Sequence, residues 1–342
     1  MYNFRNDYSE GCHPKVLEAL TAVNGESVIG YGQDAYCAKC ADLIREQCKA
    51  PQADVQFLVG GTQTNFTAIA AFLRPWESVI CASTGHINGH EVGAVEATGH
   101  KILSSQVGAD GKLTPAHIVS WVEACRDEHV TKPRLVYISD ATETGGVYTK
   151  AELTALSECC KANNLLLFLD GARLGCALAS GANDLTLADI ASLTDAFYIG
   201  GTKNGAMMGE ALVIVNPDLQ PDFFRMKKRE GAVLAKGWLL GVQFQALLED
   251  GLYFRIAAHS VEMAQALQTG LKELGIPMLV DSPTNQIFPI VPDALLPELE
   301  KVCTFEVWGK ADAGHTTIRF VTSFATPRES VDGLLAAVKK LV

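Results

Sequence analysis

The chain has 342 residues, 48% of them hydrophobic and 20% charged, a composition that excludes a disordered protein and leaves room for two domains. Its 28 Lys and Arg stand against 39 Asp and Glu, and the net charge of −11 argues against nucleic acid or an anionic membrane surface as the partner. No apolar run approaches the roughly 20 residues of a membrane helix and no N-terminal apolar core follows basic residues, so a cytoplasmic chain is expected.

In chain order, a helix containing Cys37 runs to Cys48, and strands and helices then alternate. The pattern predicts a strand over 56–59, a glycine turn with a helix over 62–73, a strand over 78–82 and a helical stretch over 91–97. It continues with a helix over 114–127, a strand over 135–139, a helix over 150–163 and strands over 165–169, 196–200 and 211–215. Such alternation predicts an α/β fold with a mostly parallel sheet covered by helices. After about Leu252 come a long amphipathic helix, short strands over 286–290, 304–308 and 316–321, and a closing helix over 328–341. The expected division is a large domain of residues 1–250, N-terminal segment included, and a small α+β domain of residues 251–342, with no Pro/Gly/Ser-rich linker between them.

The apolar run 165–169 ends in Asp170-Gly171-Ala172-Arg173, and Lys203 follows the next strand in Gly200-Gly201-Thr202-Lys203-Asn204-Gly205. A continuous apolar run reads as a parallel strand buried on both faces, which puts Asp170 at its carboxyl end, where open α/β sheets bind ligands. An acid and a lysine so placed suit pyridoxal phosphate. That cofactor bonds to a lysine amine as a Schiff base, and it withdraws electrons only while a carboxylate keeps its pyridine nitrogen protonated. The glycines around Lys203 are expected to let a cofactor approach the backbone. The plain structural alternative has Asp170 capping the next segment and Lys203 solvated in a loop.

Gly60-Gly61-Thr62-Gln63-Thr64-Asn65 lies between a strand and a helix, where unpaired first-turn amides and threonine hydroxyls favour a phosphate. It is neither Gly-x-Gly-x-x-Gly nor a Walker loop, which argues against a nucleotide-binding module. Asn65-Phe66-Thr67 matches a glycosylation acceptor but carries no weight without a secretion signal. His86 can stack on a flat heteroaromatic ring and act near a reacting carbon. His86 and His90 form an i, i+4 pair without a third ligand or a His-Glu-x-x-His order, so no metal is expected. The ten cysteines show no disulfide framework, and Cys37-x-x-Cys40, lacking a second pair, reads as structural thiols. Arg173 can point into the same cleft as Asp170. Arg319, alternating with Ile318 and Phe320, is either a solvated sheet residue or a bidentate carboxylate clamp.

Taken together, Asn6-Asp7-Tyr8, Tyr31-Gly32-Gln33-Asp34, Gly60-Gly61-Thr62, His86 with Glu91-Val92-Gly93-Ala94, Asp170-Gly171-Ala172-Arg173, Thr202-Lys203 and Ile318-Arg319-Phe320-Val321-Thr322 resemble the threonine aldolase and β-eliminating lyase group of fold-type I pyridoxal phosphate enzymes. The resemblance covers essentially the whole chain. It implies that Lys203 carries the cofactor, Asp170 pairs with the pyridine nitrogen, His86 stacks on the ring, and Gly61 and Thr62 hold the phosphate. It further implies that Arg173 and Arg319, with Asp7 beside them, face the substrate carboxylate. Arg229 and Lys236 match the region that reaches a neighbouring subunit's phosphate, which implies a homodimer or homotetramer with the site at the interface. The implied activity is retro-aldol cleavage of an amino acid of the L-threonine or L-allo-threonine type to glycine and an aldehyde. A β-eliminating lyase or an aminotransferase with the same cofactor is the alternative. Three departures stand out: Gly60 where the group has serine, Asn6 and Tyr8 where it has serine and threonine, and Asp140-Ala141-Thr142-Glu143-Thr144 where aldolases often carry a histidine facing the β-hydroxyl. The proton acceptor is therefore open between His86, an ordered water and Glu143.

Overall fold

The computed structural model describes residues 1–341. The chain opens with β1 (Tyr2–Asn3), α1 (Pro14–Val23) and α2 (Ala35–Gln47). Strands and helices then alternate: β2 (Asp54–Leu58), α3 (Gly61–Phe72), β3 (Glu77–Ala82), α4 (His86–Gly89), α5 (Ala94–Ala97), β4 (Ile102–Ser105), α6 (Pro115–Ala124), β5 (Lys132–Ser139), α7 (Lys150–Ala162) and β6 (Leu166–Asp170). Next come α8 (Leu174–Ala179), α9 (Leu187–Leu193), β7 (Ala196–Gly200), β8 (Glu210–Ile214), α10 (Phe223–Arg229), α11 (Trp238–Leu248) and the long α12 (Leu252–Glu273). The chain finishes with β9 (Gln286–Ile287), β10 (Ile290–Pro292), α13 (Leu296–Leu299), β11 (Cys303–Thr304), β12 (Glu306–Lys310), β13 (His315–Val321) and α14 (Arg328–Val338).

Seven strands form one sheet in the order β2-β8-β7-β6-β5-β3-β4. All run parallel except β8, which is antiparallel to both of its neighbours. The reason is the connection: the short loop 201–209 turns the chain back on itself, whereas a parallel neighbour needs a long crossover. Burial on both faces accounts for the apolar runs. Along β6, Leu167 and Leu169 enter the core on one face while Leu166 and Phe168 enter the core on the other. The carboxyl ends of β2, β3, β5, β6 and β7 therefore share one edge, and the chain leaves that edge at Gly60, His86, Asp140, Gly171 and Lys203.

Several elements depart from the sequence reading. The helical stretch expected over 91–97 is two short helices, because Val92 and Gly93 take left-handed conformations, φ 53° and 75°. That break makes His86 the first residue of α4. The unexpected strand β4 sits at the sheet edge, where a short Ile-Leu-Ser-Ser segment needs only one paired side. The helices α1, α8, α9, α10, α11 and α13 also lie outside the predicted set.

The C-terminal part carries a second sheet in which β13 pairs antiparallel with β10, β12 and β9. Its core holds Ile318 and Phe320 together with Met263, Leu267 and Leu271 from the latter half of α12. The start of α12, through Leu252, Tyr253 and Ile256, packs in the main core instead. The N-terminus crosses over as well: β1 pairs with β11, and Phe4 is buried in the C-terminal core.

Candidate active site

Asp170 is the last residue of β6 and is 4% exposed. Its Oδ2 accepts the Tyr137 hydroxyl and, at 3.0 Å, the Asn65 amide, while its Oδ1 accepts the backbone N–H of Ala172 at 2.9 Å. Burial alone would raise its carboxyl, but the Tyr137 and Tyr198 hydroxyls, the Ala172 amide and the charge of His86 hold it below the usual carboxylate range. Asp170 is thus a buried carboxylate kept ionised.

Asn65 projects from α3 and donates a second hydrogen bond, 2.8 Å, to Glu91 Oε1. The same oxygen meets His86 Nδ1 at 2.8 Å. Burial would lower the His86 imidazole, yet the Glu91 hydrogen bond, with the charges of Glu143 and Asp170, raises it above the usual histidine range. The rings of His86 and His90 lie 5.6 Å apart. Among the described residues no three His, Cys, Asp or Glu side chains gather to hold a metal ion.

Lys203 stands in the loop between β7 and β8, a loop tied down from several sides. Gly201 N–H donates to Glu210 Oε2 at 2.9 Å, Gly209 N–H donates to Thr202 Oγ1 at 3.0 Å, and Asn204 donates to the Tyr253 carbonyl at 2.9 Å. Burial and the neighbouring Arg173 charge lower the Lys203 ammonium below the usual lysine range, which makes more of the free amine available. Burial pushes the Glu210 carboxyl up to about 8, against the pull of the Gly201 amide and the Lys203 charge.

The glycines near Lys203 are required by the fold itself. A Cβ on Gly171 would lie 1.8 Å from the Tyr198 carbonyl oxygen, one on Gly200 2.5 Å from the Gly171 and Ala172 carbonyls, and one on Gly201 2.7 Å from the Gly209 carbonyl. Neighbouring backbone occupies the space that the sequence reading left for a ligand.

Phosphate chemistry is better placed at α3. Its N-cap, Gly60, offers no side-chain cap, so the first-turn amides of Gly61, Thr62 and Gln63 lack intrahelical acceptors. A Cβ at Gly61 would lie 3.2 Å from Tyr198 Oη, a buried hydroxyl close to Asp170. An uncapped helix end, an ionised acid and a lysine of lowered affinity for protons fit the phosphate, pyridine nitrogen and carbonyl carbon of pyridoxal phosphate.

The arginines differ from each other. Arg173 Nε and Nη2 donate to Asp7 Oδ2 and Oδ1 at 2.8 and 3.0 Å, and Asn285 donates to Asp7 Oδ2 at 2.9 Å. This buried bidentate pair already occupies one edge of Arg173. Arg319 has no carboxylate: its Nη1 reaches Gln286 Oε1 at 3.3 Å, its Cζ lies 5.5 Å from the Trp308 ring centre, and its buried Nε has no acceptor. Burial and the Arg173 charge lower its affinity for a proton. The half-buried Glu143 faces the same space, since its charge acts on His86, Arg173, Lys203 and Arg319.

Arg229 and Lys236 are exposed. Arg229 is engaged with Glu230 at 3.4 Å, and the segment before Lys236 packs on the Tyr31-Gly32 turn through the Tyr31 N–H to Ala235 carbonyl bond, 3.1 Å. Sequence reasoning did not single out Asn65, Tyr137, Glu210, Asn285 or Gln286 as parts of this site. A polar residue in an apolar helix face, Asn65, was the one readable signal.

The family model described as beta-eliminating lyase matches residues 3–294. The chain belongs to the beta-eliminating lyase family. Among its relatives is a low specificity L-threonine aldolase from a Pseudomonas strain, 33% identical over 344 residues, covering 99% of this chain and 97% of the relative. The solved structure of a Leishmania major threonine aldolase is 48% identical and superposes with a TM-score of 0.98 over 100% of this chain and 99% of its own. A Thermus thermophilus aspartate aminotransferase variant, 14% identical with a TM-score of 0.73 over 98% of this chain and 89% of its own, shares the fold alone.

Proposed function

We propose that the chain is a pyridoxal phosphate-dependent aldehyde-lyase that cleaves a β-hydroxy-α-amino acid of the L-threonine or L-allo-threonine type to glycine and an aldehyde. When bound, the cofactor supplies the electron sink for the pair released as Cα–Cβ breaks. Lys203 is its point of attachment, with an amine poised by burial. Asp170 would keep a proton at the pyridine nitrogen, the α3 amides with Thr62 would take the phosphate, and His86 would stack on the ring.

The observation that carries the substrate class is Arg319, a half-buried arginine whose buried Nε is unmatched and which has no acid of its own. A substrate α-carboxylate completes it. Arg173, already paired with Asp7, adds positive charge beside that carboxylate. Fixing the carboxylate fixes which bond at Cα aligns for cleavage, so Arg319 chooses the reaction as well as the substrate. His86 takes the β-hydroxyl proton at its free Nε2, and Glu143 lies close by. A homodimer or homotetramer belongs to the same reading: Arg229 and Lys236 are exposed, as residues serving a neighbouring subunit's phosphate have to be. A cytoplasmic setting is consistent with ten unpaired cysteines, and the division at 250/251 with the start of α12. Among the described residues no helix is long and apolar enough to cross a membrane.

The test is borohydride reduction of the cofactor-loaded protein followed by peptide mapping. The reading expects the reduced cofactor on the peptide containing Lys203, and no label in Lys203→Ala. Label on another lysine contradicts it.

A further inference from the structure

The Glu91 side chain is fully buried, yet the chemistry described so far gives it no task. Its Oε1 lies 2.8 Å from both His86 Nδ1 and Asn65 Nδ2, and Asn65 Nδ2 lies 3.0 Å from Asp170 Oδ2. The proton positions follow from these neighbours. Carboxylate oxygens accept only, so the Asn65 atom between two of them is the amide nitrogen, with one proton for each. Glu91 Oε1, already accepting from Asn65, accepts from His86 too, which puts the imidazole proton on Nδ1.

We propose that Glu91 is a positioning residue that fixes His86 as the Nδ1–H tautomer and leaves Nε2 to receive the substrate proton, while Asn65 joins this dyad to Asp170. The proposal rests on the aldol-cleavage reading of the site. When the β-hydroxyl O–H breaks, its electron pair becomes the second bond of the aldehyde carbonyl and its proton resides on Nε2. The resulting imidazolium is balanced by Glu91. Glycine needs one proton at Cα, so Nε2 returns what it took and no net proton is consumed.

The charges around His86 come from every element packed on it: Glu91 between α4 and α5, Glu143 after β5, Asp170 on β6 and Lys203 after β7, with the His90 ring alongside. The Glu91 hydrogen bond leads the groups that raise the imidazole against burial. Tyr137 on β5 lies within reach of both Asp170 and Glu91.

The experiment is nitrogen-15 histidine NMR on the full-length, cofactor-loaded chain across about pH 5 to pH 9. Neutral wild-type His86 is expected as the Nδ1–H tautomer, a result that needs no variant. Glu91→Gln keeps the shape and removes the charge. It is expected to lower the His86 midpoint by about one pH unit and to carry the acid limb of kcat/KM with it, with Glu91→Asp in between. Asn65→Ala keeps the tautomer but changes the pH at which the visible band of the loaded enzyme titrates. A neutral His86 protonated at Nε2, or a Glu91→Gln midpoint equal to wild type, overturns the proposal. An unmoved visible titration in Asn65→Ala overturns the link to Asp170. If the tautomer is as expected but threonine yields no aldehyde, the reading of the function fails and the dyad stands.

Discussion

Replacing Arg319 separates binding from folding. Its side chain is half-buried, its buried Nε is unmatched, and the Arg173 charge stands nearby. A substrate carboxylate gains about 1.5–3 kcal/mol for each charge-assisted hydrogen bond it accepts there. Arg319→Gln removes charge and fork together, so a loss of about 3 kcal/mol, roughly 100-fold in kcat/KM, is expected. Arg319→Lys keeps the charge without the fork and loses about tenfold. The losses fall in kcat as well as in KM, because the clamp both binds the carboxylate and sets which bond at Cα is aligned for cleavage. Stability moves differently. A half-buried cation with an unmatched Nε and no carboxylate is a cost to the folded state, so Arg319→Gln leaves Tm unchanged or raises it, the Trp308 contact returning only about 0.5–1 kcal/mol. Steady-state kinetics with threonine and calorimetry read the two effects. A Tm lowered by several degrees with kcat/KM within about threefold of wild type refutes the reasoning.

The Asp7–Arg173 pair gives the opposite pattern. Asp7→Asn leaves Arg173 buried without its carboxylate and costs about 3–5 kcal/mol at neutral pH by denaturant titration. Because Arg173 and Asn285 hold Asp7 below its ordinary 3.8 against burial, its contribution is complete above that pH and fades as pH falls through the lowered value. The gap between wild type and variant therefore closes in acid, and a gap independent of pH removes the pair from the account. Gly60→Ser is tolerated, since Gly60 is extended at φ −174° with no atom within 4 Å of a Cβ. The new hydroxyl caps α3 and supplies a phosphate donor, so equilibrium dialysis is expected to show cofactor held several-fold more tightly; weaker retention contradicts a phosphate at this helix end. In native protein, a thiol reagent modifies Cys12, Cys125 and Cys159, while Cys37, pushed up to about 12 by burial and Asp34, stays silent. Rapid labelling of Cys37 points to a different packing of α2 on α11.

The inner parallel strands β5, β6 and β7 were readable because each is largely buried on both faces and written as an apolar run ending at the chain's turn into the cleft, whereas the parallel edge strand β4, with its Ser-Ser end, was not. Asp170 and Lys203 were readable for the same reason, being the first charged groups after such runs. The reversed strand β8 was not, since its apolar residues carry no mark of direction and only the short loop 201–209 sets it. Nor was the Glu91–Asn65 link, which depends on the left-handed turn at Val92 and Gly93 bringing Glu91 back beneath His86. The glycines show the limit most plainly. Gly200 and Gly201 look like room for a ligand in a one-dimensional sequence, and neighbouring carbonyls lie where a side chain at either would go in three dimensions.

Product analysis bears most directly on the central claim. Incubated with pyridoxal phosphate and L-threonine or L-allo-threonine, the purified chain is predicted to release acetaldehyde and glycine in equal amounts, and Lys203→Ala to release neither. A keto acid with ammonia, or a keto acid with pyridoxamine phosphate, would show that a different bond at Cα is broken and would contradict the assignment of Arg319 and His86 to aldol cleavage.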